Sequence, residues 1–364
     1  MSKLSEIISD YGSGVRTAHR QPGMSLFQAV QSVIRARLLY GIGPRLHSLF
    51  ELYSQPEESW RDFLVDEPLK KVLRRVNNPR SREITKDKLK FYDHCLENEI
   101  STIPIVCAID RRPDPVVLQS YHVTSVDDWC KKLDAGPTEL FIKLIDGTSG
   151  IGAFSAKRSI DGVWTYCGKE GSAAALYAFT IERMANERGW IVQQRLRPHK
   201  ELQPIMSPSG LGTLRVVTGL REGEPRILFA VLRMPVGKGS ADNFLHGQSG
   251  NLIAAVDLET GVLSPGRVSM SRFWPLIHDV DFHPETGSEI TGLALPYWDE
   301  LRNLVVRAHS SFPDLMTVGW DVAIVDGGPI IVEANSTYDV DILQVAFKRG
   351  VRSDLNFLFS ASKN

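Results

Sequence analysis

The sequence predicts a mixed α/β (α+β) fold that follows a mostly helical N-terminal region. At 364 residues the chain is long enough for roughly two or three subdomains with a sizeable core. Apolar residues recur at helical spacing between residues 24 and 76, whereas strand-like apolar runs alternate with helical segments further on. Residues 77–81, Asn-Asn-Pro-Arg-Ser, have the composition of a boundary between the two regions.

Composition limits the classes of function. The 42 basic and 43 acidic side chains nearly cancel, so no overall charge favours nucleic acid or an acidic membrane. The four cysteines show no C-x-x-C spacing, which favours reduced thiols over zinc or a disulfide framework. No apolar run approaches the ~18 residues of a membrane span, and the N-terminus lacks a signal-peptide core. We therefore expect a soluble, cytoplasmic protein.

The N-terminal region is predicted to contain a helix from residue 24, a second at 46–53 and a third from 60 towards 76, with a break at 41–44. It is locally basic, through Arg35, Arg37, Arg45, Lys70, Lys71, Arg74 and Arg75. The simpler interpretation is a set of solvated helix faces. The alternative is a docking surface for an acidic partner or a membrane-associated complex.

Beyond residue 80, helical and strand-like segments alternate. Helices are predicted at 86–98, 126–133, 173–188 and 297–309. Strands are predicted at 103–106, 139–145, 190–194, 213–220, 226–234 and 251–257.

The most informative segment is residues 319–335, where two apolar runs flank Asp-Gly-Gly at 326–328. This pattern predicts a β-hairpin with a three-residue loop. The expected cross-strand pairs are Val325 with Pro329, Ala323 with Ile331 and Asp321 with Glu333. Asn335, two residues beyond Glu333, lies on the same face.

Asp321, Glu333 and Asn335 therefore bring three oxygen-bearing side chains together, with directly opposed Cβ atoms ~5 Å apart. Two buried carboxylates at this separation repel one another unless a cation lies between them. A magnesium ion, which prefers oxygen ligands and phosphates, fits this donor set. The alternative, a surface hairpin with an acidic end, is less favoured because the neighbouring residues Trp320 and Ile331 are apolar.

A second informative segment is the apolar strand 141–145, which contains Lys143 and is followed by a glycine-rich loop at 146–152. A lysine on a buried strand needs an anion, and glycines allow backbone N–H groups to approach phosphate. The loop glycines are Gly147, Gly150 and Gly152. Their G-x-x-G-x-G spacing matches neither the Rossmann fingerprint nor the Walker A loop.

These segments resemble the ATP-grasp enzymes, in which Asp, Glu and Asn on adjacent strands hold two magnesium ions against the ATP phosphates. Lys143 matches the lysine strand of that superfamily, and the glycines match its phosphate-covering loop. Asp87-Lys88 to Phe91 is similar to its D-K-x-x-(x)-F segment, which implies that Lys88 is a second phosphate-facing lysine. Residues 191–196 resemble the hinge strand that contacts adenine, which implies contacts from Gln193, Gln194 and Leu196.

Two further strands carry an arginine each, Arg215 and Arg233, and a turn containing Asn243 follows. In glutamate-ligase-like ATP-grasp enzymes such arginines accompany an Asn-containing turn, which implies that they bind the γ-phosphate. The order of these motifs resembles the sugar-transfer-associated ATP-grasp family over roughly residues 80 to 345. The resemblance implies a nucleotide held between two α+β subdomains, 81–195 and 196–364, behind a helical region at 1–80.

The resemblance also implies a carboxylate–amine ligase that uses ATP and two magnesium ions, for which manganese can substitute. Its substrates would be a small-molecule carboxylate and an amine, derived from amino acids or sugars. Nucleic acid is not an expected partner. Carboxylate attack on ATP would form an acyl phosphate, so no nucleophilic side chain is required. The alternatives are a kinase with the same fold and a nucleotide-binding regulatory subunit; the oligomeric state is left open.

Overall fold

A computed structural model describes residues 3–112, 120–147, 152–183, 188–208, 210–237 and 242–362. The helices are α1 (Lys3–His19), α2 (Leu26–Tyr40), α3 (Pro44–Leu49), α4 (Asp66–Val76), α5 (Pro79–Lys86), α6 (Lys88–Glu97), α7 (Val126–Ala135), α8 (Ala173–Glu182), α9 (Trp298–Ser310), α10 (Asp341–Phe347) and α11 (Asn356–Ala361). Short 3-10 helices occur at Leu52–Ser54, Glu57–Asp62, Gln203–Ile205 and Leu245–Gly247.

The strands are β1 (Ile105–Asp110), β2 (Glu139–Leu144), β3 (Phe154–Arg158), β4 (Trp164–Tyr166), β5 (Lys169–Gly171), β6 (Gly189–Gln194), β7 (Thr213–Arg221), β8 (Glu224–Met234), β9 (Leu252–Ala255), β10 (Gly266–Ser269), β11 (Ile277–Val280), β12 (Thr317–Val325) and β13 (Gly328–Asn335). They form a small sheet in the order β1-β6-β2-β3-β4-β5 and a large sheet in the order β11-β10-β9-β8-β7-β12-β13. Neighbouring strands in both sheets are antiparallel. The predicted mixed α/β (α+β) fold with a helical N-terminal region is confirmed.

Both faces of the large sheet are covered. Alternate residues of a strand point to opposite sides of the sheet, so neighbouring residues pack into different clusters. On β7, Val216 packs in a cluster that includes α9 residues, whereas Val217 packs in a second cluster. The second cluster contains side chains of the N-terminal helices, among them Leu69 and Leu73 of α4. The N-terminal helices therefore cover one face of the sheet that carries the predicted metal hairpin.

One prediction about the N-terminal half is wrong in detail. The predicted helix from residue 60 to 76 is instead a 3-10 helix and α4, separated by residues 63–65. The backbone of Leu64 exchanges hydrogen bonds of 2.6 and 2.9 Å with the buried side chain of Gln344, which holds the chain out of helical conformation. Within residues 77–81 the helix α5 begins, because Asn78 caps that helix and Pro79 occupies its first position.

The N-terminus of α6 is fixed by side-chain capping. Oδ1 of Asp87 accepts hydrogen bonds from the backbone N–H groups of Leu89 and Lys90, at 3.0 and 3.2 Å. The guanidinium group of Arg112 contacts the other carboxylate oxygen of Asp87. This anchoring sets the position of Lys88, the first residue of the helix.

In the described part of the chain, none of the helices combines the length and the apolar character needed to cross a membrane.

Candidate active site

The β12–β13 hairpin differs from the predicted register at its turn but not at its acidic end. The turn holds two residues, since Val325 pairs with Gly328, so the expected pair of Val325 with Pro329 is wrong. The expected pair of Ala323 with Ile331 is also wrong, because Ile331 lies opposite Val322. A β-bulge between Val322 and Asp321 then shifts the register by one residue, and Asp321 pairs with Glu333 as predicted.

Asp321 lies between two arginines from neighbouring strands. Nε of Arg215 on β7 donates to Oδ1 of Asp321 at 2.7 Å, and Nη2 of Arg233 on β8 lies 3.1 Å from Oδ2. Burial opposes ionisation of Asp321, but the charges and hydrogen bonds of the two arginines outweigh it, so the pKa of Asp321 lies below its ordinary value. Asp321 is therefore a carboxylate at neutral pH.

Thr213 and Asp242 hold Arg233 in place. The hydroxyl of Thr213 donates to Oδ2 of Asp242 at 2.6 Å and accepts a hydrogen bond from Nε of Arg233 at 3.2 Å. The guanidinium group of Arg233 thus contacts two carboxylates and one hydroxyl. This network also fixes the segment that leads to Asn243.

The two predicted lysines, Lys88 and Lys143, interact electrostatically with Glu333 on β13. Nζ of Lys88 donates to the carbonyl oxygen of Gly147 at 2.6 Å and lies 3.8 Å from Oε1 of Glu333. Lys143 has no ion-pair or hydrogen-bond partner in the described part of the chain. Burial lowers the pKa of Lys143 to about 8, helped by the charge of Lys88 and opposed by the charge of Glu333. An anion bound beside Lys143 would remove this penalty.

A cavity of about 580 Å³ brings most of the predicted site residues together. Its lining includes Lys88, Lys143, Gly147, Gln193, Gln194, Leu196, Arg215, Arg233, Asn243, Asp321, Glu333 and Asn335.

The predicted glycines occupy different positions relative to the cavity. Gly147 lines it, and a Cβ atom there would lie 2.8 Å from the side chain of Leu144, so only glycine fits without a shift. Gly152 has a φ of 77° and does not line the cavity, whereas Gly150 lies outside the described residues.

The predicted adenine end of the cavity contains an unsatisfied acceptor. Nε2 of Gln193 donates to the carbonyl oxygen of Ile103 at 3.3 Å. Oε1 of the same side chain is buried and has no hydrogen-bond partner among the described residues. An exocyclic amino group such as that of adenine would satisfy this oxygen, since buried polar atoms are normally paired.

Several residues of the cavity lining are not predicted from the sequence. They are Thr213, Asp242 and the loop residues Thr337, Tyr338 and Asp339. The lining also includes Glu67, Lys70 and Arg74 of α4. The interpretation of the N-terminal basic residues as solvated faces is therefore wrong for Lys70, whose Nζ lies 2.6 Å from Oδ1 of Asp339. In the sequence, the sign that α4 belongs to the cavity is limited to the excess of basic residues in this region.

A second polar cluster lies beside the cavity. Nδ1 of His246 lies 2.8 Å from Oδ2 of Asp341, and ligand atoms of Asp66, His246 and Asp341 are all within 4.8 Å of one another. The hydrogen bond that the imidazole donates to Asp341 raises the pKa of His246 to about 9, while burial and the charge of Asp341 raise the pKa of Asp66 to about 7. A protonated imidazole between two carboxyl groups accounts for this arrangement.

The family model described as "Sugar-transfer associated ATP-grasp" matches residues 70–358. The chain belongs to this family. The resemblance read from the motif order is thus confirmed, and the fold is the ATP-grasp fold. A search of curated proteins finds no significant match.

Two synthetases are among the solved structures that match this chain. D-alanyl-alanine synthetase A from Vibrio cholerae is 12% identical over 79% of this chain and 68% of its own, with a TM-score of 0.46. D-cycloserine synthetase is also 12% identical, over 98% of this chain and 93% of its own, with a TM-score of 0.45. The biotin carboxylase domain of 2-oxoglutarate carboxylase from Hydrogenobacter thermophilus, a complex with MgADP and bicarbonate, is 11% identical. That match covers 73% of this ATP-grasp chain and 46% of the carboxylase chain, with a TM-score of 0.40.

The donor set of the hairpin fits a magnesium ion. Asp321 and Glu333 are directly opposed, and Nδ2 of Asn335 lies 3.5 Å from Oδ2 of Asp321, so two carboxylates and an amide share one patch. All three are hard oxygen donors of the kind that magnesium prefers. Glu333 has only the 3.8 Å contact with Lys88 as an ion pair among the described residues, which leaves its carboxylate able to bind a cation.

Proposed function

We propose that this ATP-grasp protein is an ATP- and magnesium-dependent ligase that joins a small-molecule carboxylate to an amine. One observation carries the proposal: Lys88, Lys143, Arg215 and Arg233 all line the cavity that contains Asp321, Glu333 and Asn335. Four cations around an oxygen donor set form a site for a polyphosphate and its metal. The nucleotide would be held between residues 81–195 and 196–364.

The proposed reaction has two steps. A carboxylate oxygen of the first substrate attacks the γ-phosphorus of ATP, and ADP leaves with the bridging oxygen. The amine nitrogen of the second substrate then attacks the acyl carbon, phosphate leaves, and the nitrogen loses a proton. The product is an amide.

In this reaction the protein would bind the nucleotide, orient the transferred phosphoryl group and neutralise the phosphate charge. Lys143 and Lys88 would contact phosphate oxygens from the small-sheet side, while Arg215 and Arg233 would contact the transferred phosphoryl group. Magnesium held by Asp321, Glu333 and Asn335 would supply additional neutralisation of the phosphate charge. The unsatisfied Oε1 of Gln193 would accept from the adenine amino group.

The cavity favours a ligase over a kinase. A kinase that acts on a hydroxyl group needs a base, whereas a carboxylate is already ionised. Among the described residues that line the cavity there is no histidine. Asp321 and Asp242 are ion-paired with arginine, and Glu67 and Asp339 are ion-paired with Lys70, so these four acids are poorly suited to accept a proton. The fifth acid, Glu333, is assigned to magnesium in this proposal.

The reaction class can be tested by isotope transfer. With an oxygen-18-labelled carboxylate, an amine and ATP, one labelled oxygen should appear in inorganic phosphate, as measured by mass spectrometry. A panel of carboxylate and amine pairs, scored first for ADP formation, identifies the pair to label. Accumulation of a stable phosphorylated metabolite without free phosphate would instead favour the kinase.

Nucleotide affinity should depend on pH through Lys143. Its pKa in the free protein is about 8, and bound phosphate stabilises the ammonium form, so binding above pH 8 requires uptake of a proton. Between pH 7 and 9 the Kd for the magnesium complex of a non-hydrolysable ATP analogue should rise about five- to tenfold. Isothermal titration calorimetry in buffers of different ionisation enthalpy measures both the Kd and the proton uptake.

Two variants make this prediction specific. Lys143→Gln should bind the nucleotide more weakly and lose the dependence on pH over this range. Lys131→Gln, at an exposed position of α7, should behave as the wild type does. Unchanged affinity in Lys143→Gln, together with a raised Tm, would mean that the lysine is merely a buried charge without a phosphate partner.

A further inference from the structure

Helix α4 presents one polar face to the cavity. Glu67, Lys70 and Arg74 are spaced i, i+3 and i+7, which places them on the same side of the helix. Leu69 and Leu73 are buried in the core beneath the large sheet. A helix of the N-terminal region thus forms part of the wall of the nucleotide cavity.

The α4 end of the cavity is separate from the adenine end. Asp339, which pairs with Lys70, follows Tyr338, and Tyr338 packs on the strand beside Arg215: a Cβ atom at Gly319 would lie 3.0 Å from Cβ of Tyr338 and 3.3 Å from Cδ of Arg215. The small sheet, with Gln193, contributes a different wall. A nucleotide with its base near Gln193 and its phosphates at the hairpin would leave the α4 end for another substrate.

One cation at this end of the cavity has no partner among the described residues. Nζ of Lys70 lies 2.6 Å from Asp339 and 3.7 Å from Glu67, so its charge is already compensated. The guanidinium group of Arg74 is exposed and has no ion pair or hydrogen bond with any residue that the structure describes. Guanidinium binds carboxylate and phosphate through two parallel hydrogen bonds.

We propose that Arg74 binds an anionic group of the second substrate, which therefore carries a carboxylate or a phosphate in addition to its reacting group. This inference rests on the proposed function, because it assigns the rest of the cavity to ATP. The N-terminal helical region then determines substrate choice.

The test uses the full chain saturated with magnesium and AMP-PNP, so that the arginines of the hairpin are occupied. Glutarate and inorganic phosphate are titrated separately by calorimetry into the wild type, Arg74→Gln and Arg75→Gln. Arg75 is exposed on the same helix but does not line the cavity, which makes it the matched control. We expect at least one anion to bind the wild type, at least tenfold weaker binding to Arg74→Gln, and a change of less than twofold in Arg75→Gln.

The outcomes separate the two proposals. Binding of glutarate alone assigns a carboxylate, and binding of phosphate alone assigns a phosphate. If neither anion binds, or if both variants behave alike, the assignment of Arg74 is wrong. If AMP-PNP itself does not bind, the proposed function fails, and the same titrations on nucleotide-free protein decide the role of Arg74.

Discussion

Glu333→Gln will fold as the wild type does but lose most of its turnover. The side chain is about one-third exposed, with 32% of its surface accessible, and its ion pair with Lys88 is long at 3.8 Å, so the isosteric amide removes little stability. It does remove one of two opposed carboxylates from the proposed magnesium site. Weaker metal-mediated neutralisation should lower kcat by roughly two to three orders of magnitude, about 3–4 kcal/mol. Steady-state ADP release and thermal unfolding measure the two effects.

The control for this variant lies at the opposite end of the same hairpin. Asp326→Asn removes an exposed carboxylate in the turn and should leave kcat within about twofold of the wild type. Magnesium titration adds a second readout, because the half-saturating concentration should rise in Glu333→Gln only. Wild-type turnover and magnesium dependence in Glu333→Gln would exclude the hairpin as the metal site.

Arg215→Met will destabilise the nucleotide-free protein substantially. The change removes a buried cation whose Nε lies 2.7 Å from Asp321, a carboxylate that is itself buried. Loss of one partner of a buried pair costs about 3–5 kcal/mol, and we expect the lower end because Arg233 still contacts Asp321. Urea unfolding should show a lower midpoint with an unchanged m-value.

A double variant separates the charge effect from packing. In Arg215→Met/Asp321→Asn the buried carboxylate is absent, so at least about 1 kcal/mol of the loss should be recovered relative to additivity. Arg226→Met, at an exposed position on β8, is the control and should change stability by less than about 0.5 kcal/mol. Additive losses in the double variant would show that Arg215 stabilises the sheet by packing alone.

Local patterns in the sequence predicted the elements that carry most of the site. The hairpin, the Lys143 strand and the two arginine strands each have apolar runs bounded by turn residues, and such runs form strands in many contexts. The pairing of Asp321 with Glu333 was predicted correctly although the turn was not. The bulge at Val322 compensates for the shorter turn, and a bulge leaves no clear trace in alternation over so few residues.

Other features were decided by contacts between distant parts of the chain. Residues 63–65 match a helical pattern, yet the side chain of Gln344 binds the backbone of Leu64 and interrupts the helix. The register of the large sheet brings Arg233 to the same carboxylate as Arg215, although no spacing in the sequence relates the two arginines to Asp321. Secondary-structure propensity depends on residues that are close in sequence, so it cannot predict contacts between distant parts of the chain.

By itself, the sequence determined the family, the order of the motifs and the pairing of Asp321 with Glu333, because these depend on residue type and local spacing. Only the tertiary structure placed α4 in the wall of the cavity. Lys70 and Arg74 look like ordinary solvated helix residues in the sequence. The structure places both in the cavity lining, and it pairs Lys70 with Asp339 through the packing of the C-terminal segment on the N-terminal helices. The partners of a charged side chain depend on which distant residues the fold brings close to it, and local sequence does not contain that information.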